Sequence, residues 1–358
     1  MESEAKKDVM TKEERWHALL NRKPVDCVSV SGYAGGFAAI NVGYTIKDIY
    51  TDPVKMIDAL TWTAEQYDWD GSIGCGDMAL VPPHFFFRPG KEVKMPEGEY
   101  AQAPIIKRFM IESEEEAMSF IMPDAEKVSP LSLKGAEIAD KAGFYYIGYI
   151  FELMSLAANL PGVETFCKWM MKKPELAHKL MRQVTDFGLD LVKLFTDRYG
   201  GERVIPFHGE PTASNQVISP NMFENFMLPY LKEFYDKIQS MGVKHAIVHP
   251  CGEQNANLPF WAQVKMGDPA VITFGHEVDI ETASKYFPND IIMGNIEPAI
   301  IQTGKPQEVY DAAKLCIEKG KKHASGFILA PGCELPPKAP PYSVWQMTKA
   351  VNNFGWYD

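Results

Sequence analysis

The chain has 358 residues, of which 46% are hydrophobic, and this is ample material for a large buried core. Its formal net charge is −11 and its isoelectric point is near 5.3, so neither nucleic acid nor an anionic membrane surface is expected as a partner. The N-terminal stretch MESEAKKDVMTKEERW lacks the apolar core of a signal peptide, and no apolar run is long enough to span a bilayer. These features predict a cytoplasmic protein.

The dominant pattern along the chain is a short apolar strand followed by a longer amphipathic helix. Eight strands are predicted, over Cys27–Ser31, Ser72–Cys75, Tyr145–Ile150, Val204–His208, His245–His249, Val271–Gly275, Ile291–Asn295 and Phe327–Ala330. Helices are predicted over Pro53–Tyr67, Pro174–Arg198, Pro220–Met241, Pro306–Lys319 and Tyr342–Asn352. Eight such strands are typical of a (β/α)8 TIM barrel. Such barrels reach this length as one domain, so residues 1–358 are predicted to form a single α/β domain.

The segment Val81–Lys141, after the second strand, is longer than one strand–helix unit needs. It contains the proline-rich PPHFFFRPG and the acidic ESEEEAMSF. We interpret it as an insertion that forms a lid or a small subdomain. An ordinary surface insertion is the alternative.

Residues of metal-binding types recur directly after the predicted strands, whose C-terminal ends form one rim in a barrel. The strongest signal is His249-Pro250-Cys251 after the fifth strand, together with Cys333 after the eighth. Two thiolates and an imidazole suit zinc, and three protein ligands leave the open position of a catalytic site. The alternative is that each is an ordinary core residue. We interpret the other four cysteines as packing residues: Cys27, Cys75, Cys167 and Cys316.

Longer stretches resemble the uroporphyrinogen decarboxylase superfamily over nearly the whole chain. They are ERWHALLNRKPVDCVSV, GCGDMALVPP, EPTASNQVISPNMFENFMLPYLKEF, MGNIEPAII and PGCELPPKAPPYSV. Two features differ from the decarboxylases. The segment SGYAGGFAAINVGY has no Arg or Lys to bind the carboxylates of a tetrapyrrole, and Cys333 replaces a histidine. His249, Cys251 and Cys333 instead match the His-X-Cys…Cys zinc motif of the methyltransferase branch.

This resemblance implies a zinc-dependent methyltransferase that exchanges a methyl group with the cobalt of a corrinoid (cobalamin) on a partner protein. The small molecule that the sequence favours is an aryl methyl ether, which would make the protein a methyl-transferring component of an O-demethylase. The alternative is methylation of a thiol such as coenzyme M. A porphyrinogen decarboxylase and a non-catalytic metal- or corrinoid-binding protein are less favoured.

Further site residues are expected on the same rim. Glu210 and Asp77 are the candidate catalytic residues. Glu210 could also be a fourth zinc ligand, a proton relay or a support for a zinc-bound histidine, and Asp77 a buried structural carboxylate. Candidate substrate-binding residues are Tyr33, Phe37, Tyr149, Phe151, His276 and Asn295. The alternative for most of the aromatic residues is packing in the core or in the lid, and Asn295 could instead support its loop.

Overall fold

The computed structural model describes residues 9–70, the backbone of residues 93–94, and residues 104–357, with only the backbone of Tyr149 and Ile150. The described strands are β1 (Ser29–Val30), β2 (Val93–Lys94), β3 (Ile105–Ile106), β4 (Ile147–Phe151), β5 (Val204–Gly209), β6 (Ile247–His249), β7 (Val271–Thr273), β8 (Ile291–Ile296) and β9 (Phe327–Pro331). Seven of the eight predicted strands are therefore confirmed. The eighth, Ser72–Cys75, lies outside the described residues.

These seven strands form one parallel sheet in the order β1-β9-β8-β7-β6-β5-β4. Apart from β1, which pairs with β9, each strand lies next to its neighbour in the chain. This is the wound order of an α/β barrel. Strands β2 and β3 form a separate antiparallel pair.

Helices connect the strands of this sheet. The described helices are α1 (Lys12–Leu20), α2 (Gly35–Asn41), α3 (Ile46–Thr51), α4 (Pro53–Gln66), α5 (Glu114–Ser119), α6 (Ala125–Val128), α7 (Pro130–Lys141), α8 (Met154–Asn159), α9 (Val163–Lys172), α10 (Pro174–Tyr199), α11 (Pro220–Phe226), α12 (Leu228–Ser240), α13 (Leu258–Trp261), α14 (Ile280–Tyr286), α15 (Pro298–Thr303), α16 (Pro306–Gly320) and α17 (Pro341–Phe354). Among these helices, none combines the length and apolar character needed to cross a bilayer.

The predicted single helix Pro220–Met241 is wrong, because the segment forms two helices, α11 and α12, that separate at Met227. Pro229 has no N–H to donate to the carbonyl four residues earlier, and its ring would crowd that carbonyl. The chain therefore begins a new helix with proline in the first turn, where no such hydrogen bond is required.

Two apolar layers position the strands. The inner layer covers one face of the sheet and contains alternate strand residues such as Phe207, Ile247 and Met293. Trp16 and Leu20 of α1 belong to the same layer. The outer layer lies between the strands and the surrounding helices and contains most of the buried side chains. Because side chains alternate along a strand, residues two apart face the same layer.

The described part of the Val81–Lys141 segment packs against the outer helices. Glu114 pairs with Lys173 at the start of α10, and Glu126 pairs with Arg198 at its end. Helix α7 packs against α4 and β4, in the position of a barrel helix. Residues 81–92 and 95–103 of the segment, on which the predicted lid mainly falls, lie outside the described residues.

A buried ion cluster ties α1 to the first strand. The guanidinium of Arg15 donates to Asp26 at 2.8 Å and also contacts Asp70, whose second oxygen accepts the N–H of Val30 at 2.8 Å. The side chain of Arg15 is 5% exposed.

Arg15→Met is expected to lower the free energy of unfolding by about 3 kcal/mol, because it leaves two carboxylates buried without their cation. Urea denaturation measures this change. Arg108→Met is the matched control, since Arg108 and Glu112 form an exposed pair and its loss should cost less than about 1 kcal/mol. Equal effects of the two substitutions would contradict the prediction.

Candidate metal centre

Three side chains of the sequence-predicted zinc set meet at the C-terminal rim of the sheet. His249 is the last residue of β6, Cys251 follows two residues later, and Cys333 lies two residues beyond the end of β9. Their Nε2 or Nδ1 and Sγ atoms all lie within 4.8 Å of one another. Strands β6 and β9 are separated by β7 and β8, so only a strongly curved sheet brings these residues together.

The His249 imidazole is oriented by one hydrogen bond and leaves its other nitrogen without a partner. Nδ1 donates to the carbonyl oxygen of Thr273 at 3.1 Å, which places the lone pair on Nε2. Nε2 is buried and accepts no hydrogen bond from the described residues. A buried polar atom without a partner is costly in a folded protein, and a metal ion is a natural partner for this one.

The two sulfur atoms have the spacing of a shared metal ion. Sγ of Cys251 lies 3.8 Å from Sγ of Cys333. Two zinc–sulfur bonds of about 2.3 Å at a tetrahedral angle separate their sulfurs by about 3.8 Å. The donor set of two soft sulfurs and one imidazole therefore fits zinc and leaves one coordination position for a substrate.

The two thiols are strongly coupled. The hydrogen bond from Cys251, helped by the nearby His249 imidazole, holds the pKa of Cys333 far below its usual value despite burial. The same hydrogen bond, with burial behind it, raises the pKa of Cys251. One thiolate is thus favoured in this pair before any metal binds.

Glu210 lies beside this cluster in a completely buried network. Its backbone N–H donates to the carbonyl oxygen of His249 at 3.1 Å. Its carboxylate accepts the backbone N–H groups of Leu153, Met154 and Ser155, the Ser155 hydroxyl, and His208 Nε2 at 2.9 Å. Both oxygens are therefore engaged, which favours a role in fixing the loop after β4 over a direct role in catalysis.

A family model described as "Uroporphyrinogen decarboxylase (URO-D)" matches residues 11–354. The chain belongs to the uroporphyrinogen decarboxylase family. This confirms the family predicted from the sequence.

Curated relatives of this family member are methyltransferases. Over 270 residues the chain is 25% identical to the methylcobamide:CoM methyltransferase MtbA of Methanosarcina acetivorans, covering 72% of this chain and 74% of that protein. It is 28% identical over 168 residues to a methylated-thiol–coenzyme M methyltransferase of Methanosarcina mazei, covering 46% of this chain and 43% of that protein. A solved methyltransferase structure from M. mazei superimposes with a TM-score of 0.76 at 20% identity, covering 96% of this chain and 99% of that one, and so shares its fold.

Tyr33 is the predicted substrate-binding residue that the structure brings to the cluster. Its ring lies edge-on to the His249 imidazole at 5.9 Å and 5.3 Å from the ring of Phe207. Burial, followed by the charge of Glu334 and the two thiols, raises its pKa well above the usual value, so its hydroxyl stays protonated at neutral pH. Tyr33 and Phe207 together form an aromatic wall beside the candidate metal centre.

Phe37 and Phe151, two of the predicted substrate-binding residues, pack in the outer layer, as in the alternative that the sequence left open. Phe37 is 3% exposed and packs in the outer layer against Tyr67 of the α4 C-terminus. Phe151 is also 3% exposed and stacks on Phe234 of α12 at 4.5 Å. Both rings fill space between the strands and the outer helices. This packing is sufficient reason for a large apolar side chain at each position.

The remaining predicted residues lie at the rim or outside the described residues. His276 is 43% exposed near Glu277 and Glu297, at the mouth of the barrel. The amide of Asn295 donates to the carbonyl oxygens of Gly275 and Val278 and so supports the loop after β7. Tyr149 lies in β4 with no described side chain, and Asp77 lies outside the described residues. The five described cysteines are free thiols: Cys27, Cys167, Cys251, Cys316 and Cys333.

Two further carboxyl groups follow strand ends near the rim, and neither has a role assigned from the sequence. Burial and the neighbouring Glu210 raise the pKa of Glu152, directly after β4, to about 8. Burial raises the pKa of Glu334 to about 7, although its carboxylate accepts the Gly36 N–H at 3.0 Å. Glu152 directly follows the end of β4, and Glu334 directly follows the predicted ligand Cys333. These positions are the sequence signal that could have identified them as site residues.

Proposed function

We propose that this protein is a zinc-dependent methyltransferase that moves a methyl group between the corrinoid of a partner protein and a small thiol. The observation that carries the proposal is the unpartnered, buried Nε2 of His249 beside two thiols 3.8 Å apart. The names of the curated relatives support corrinoid and thiol chemistry in the same family. They favour the thiol over the aryl methyl ether that we preferred from the sequence.

The reaction requires a new S–CH3 bond, cleavage of the cobalt–carbon bond with both electrons left on cobalt, and loss of the thiol proton to solvent. Zinc held by His249, Cys251 and Cys333 would bind the thiol sulfur and lower its pKa. Thr273 keeps the proton of His249 on Nδ1, so Nε2 stays available as a ligand. The wall of Tyr33 and Phe207 restricts water on one side of the sulfur.

We also propose that residues 72–75 supply the eighth strand and complete a single (β/α)8 barrel over residues 1–358. Strands β1 and β4 are the two ends of the described sheet, and this segment lies between them in the chain. The insertion would then begin on the rim after that strand, where residues 81–103 could act as a lid and Asp77 could reach the substrate.

Demethylation of an aryl methyl ether is the second candidate, because the aromatic wall could hold a flat ring. The two functions differ in direction and can be measured with the purified protein. Thiol methylation predicts loss of methylcobalamin absorbance when simple thiols are added. Ether cleavage predicts formation of methylcobalamin from cob(I)alamin and methoxyarenes.

We expect about one zinc per chain by elemental analysis, and methylation of thiols without cleavage of ethers. Ether cleavage without thiol methylation would contradict the proposed thiol substrate and would show that the methyl group moves to cobalt. A metal-free protein that is inactive in both assays would contradict it and favour a decarboxylase or a non-catalytic binding protein.

A further inference from the structure

Glu152, Gly209 and His249 lie side by side across three neighbouring strands. In the register of the sheet Phe151 pairs with His208, and Gly209 pairs with His249. One residue further along, Glu152 stands beside Gly209. Neighbouring strands are about 4.8 Å apart, so the Cα atoms of Glu152 and His249 are separated by about 10 Å.

The alternation of side chains directs all three residues to the interior of the barrel. Phe207 and Ile247 belong to the inner layer, so Gly209 and His249, two residues later, face the same side. Phe151 stacks on α12 in the outer layer, so Glu152, which follows it, is directed inward.

Among the described residues, Gly209 places no side chain between the Glu152 carboxyl and the metal ligands. A Cβ atom added to Gly209 would meet only the ring of Phe207, at 3.6 Å, among the described residues. Any larger residue would fill this space. Phe207 and Tyr33, whose rings are 5.3 Å apart, bound it on one side.

The environment of Glu152 keeps its carboxyl protonated. Burial, followed by the charge of Glu210, raises its pKa to about 8. Glu210 is the charged group that faces it among the described residues, and His208 lies behind Glu210 at 2.9 Å. Within the described part of the chain, no hydrogen bond engages the Glu152 carboxyl, so at neutral pH its O–H is available to a ligand.

We propose that Glu152 is a substrate-binding residue that donates a hydrogen bond to an acceptor oxygen of the thiol occupying the space over Gly209. The proposal rests on the methyl-transfer function above and narrows its substrate class. The enzyme then selects small thiols that carry an ether, carbonyl or hydroxyl oxygen within a few bonds of the sulfur. The oxygen contacts Glu152 while the sulfur lies toward His249 and the two cysteines.

The test compares 2-methoxyethanethiol with 1-butanethiol, which differ by one oxygen in place of a CH2 group. Calorimetry on the zinc-loaded protein measures both dissociation constants, and elemental analysis and methyl transfer from methylcobalamin are measured in parallel. At pH 7 the ratio that favours the oxygen-containing thiol should fall about tenfold in Glu152→Ala, the usual effect of losing one hydrogen bond. Glu152→Gln should keep the ratio, because its amide also donates.

The pH dependence distinguishes donation from simple packing. The neutral form of Glu152 predominates below about pH 8, so the preference of the wild type should be present there and be lost as the pH rises through that value. In Glu152→Gln the preference should not change with pH. The oxygen of 2-methoxyethanethiol also lowers the pKa of that thiol, and this effect is the same in wild type and in Glu152→Gln. The pH dependence of Glu152 is therefore the difference between these two proteins at each pH.

Two further variants serve as a steric test and a control. Gly209→Ala should weaken binding of both thiols about tenfold without loss of zinc, because its methyl group enters the open space. Glu202→Ala, in the exposed turn just before β5 and far from Gly209 at the other end of that strand, should change nothing. An unchanged ratio in Glu152→Ala, or the absence of binding by either thiol, would overturn the proposal. Thiol binding with no methyl transfer would instead contradict the proposed function alone.

Discussion

Cys251→Ala is expected to remove zinc and to lower methyl transfer by at least about a hundredfold. Loss of a group that merely supports a ligand already costs about 10- to 100-fold in such sites, and Cys251 is a ligand itself. Its Sγ lies 3.8 Å from that of Cys333, so the substitution removes one of three converging donors. Cys333→Ala should have the same effect.

The fold should survive both substitutions, because neither cysteine belongs to the apolar layers. Far-ultraviolet circular dichroism should match that of the wild type, while elemental analysis should show the loss of zinc. Cys167→Ala is the matched control, since Cys167 is a partly buried thiol of α9 that packs against the outer layer. Full zinc content in both Cys251→Ala and Cys333→Ala would reject this metal centre.

Much of the sheet could be predicted because its strands are short apolar runs that end in polar residues. Ile291–Ile296 and Phe327–Pro331 are almost entirely buried, and parallel strands with both faces covered read as continuous apolar segments. The same regularity in the sequence predicts His249 and Cys333 on one rim. The curvature that brings their loops together follows from the barrel as a whole and has no local sequence signal.

The direction of individual side chains was harder to predict. Tyr33, Phe37 and Phe151 are all aromatic residues near strand ends, yet only Tyr33 contacts the candidate metal centre. Which of them faces the interior depends on strand register, and a shift of one residue reverses the face. An aromatic side chain also suits the outer layer and a ligand pocket equally well, so composition could not distinguish them.

No role could be assigned to Glu152 from the sequence for a related reason. Its proposed role depends on Gly209 of the neighbouring strand and on Glu210 beyond it, which lie more than 50 residues away in the chain. Glu152 is far from these two residues in the sequence and becomes their neighbour only when the sheet forms. Its raised pKa has the same origin, because burial and a second carboxyl are both tertiary effects.

The largest loss of stability is expected for Glu210→Ala. The wild-type carboxylate accepts three backbone N–H groups, the Ser155 hydroxyl and His208, and its side chain is completely buried. Alanine would leave these donors without an acceptor in the interior. We expect the free energy of unfolding to fall by about 4–5 kcal/mol, measured by urea denaturation. The matched control is Glu297→Ala, after β8, whose 39% exposed carboxylate should cost less than about 1 kcal/mol.

Glu210→Gln separates positioning from packing. Glutamine keeps the size of the side chain but replaces one acceptor oxygen with an NH2 group that faces other donors, so part of the network is lost. Because that network holds the backbone of residues 153–155 next to Glu152, the oxygen preference among thiols should weaken in this variant while zinc content stays near one per chain. If Glu210 were instead a required zinc ligand, Glu210→Gln would lose metal together with activity. Elemental analysis of this one variant therefore distinguishes a zinc-ligand role of Glu210 from a positioning role.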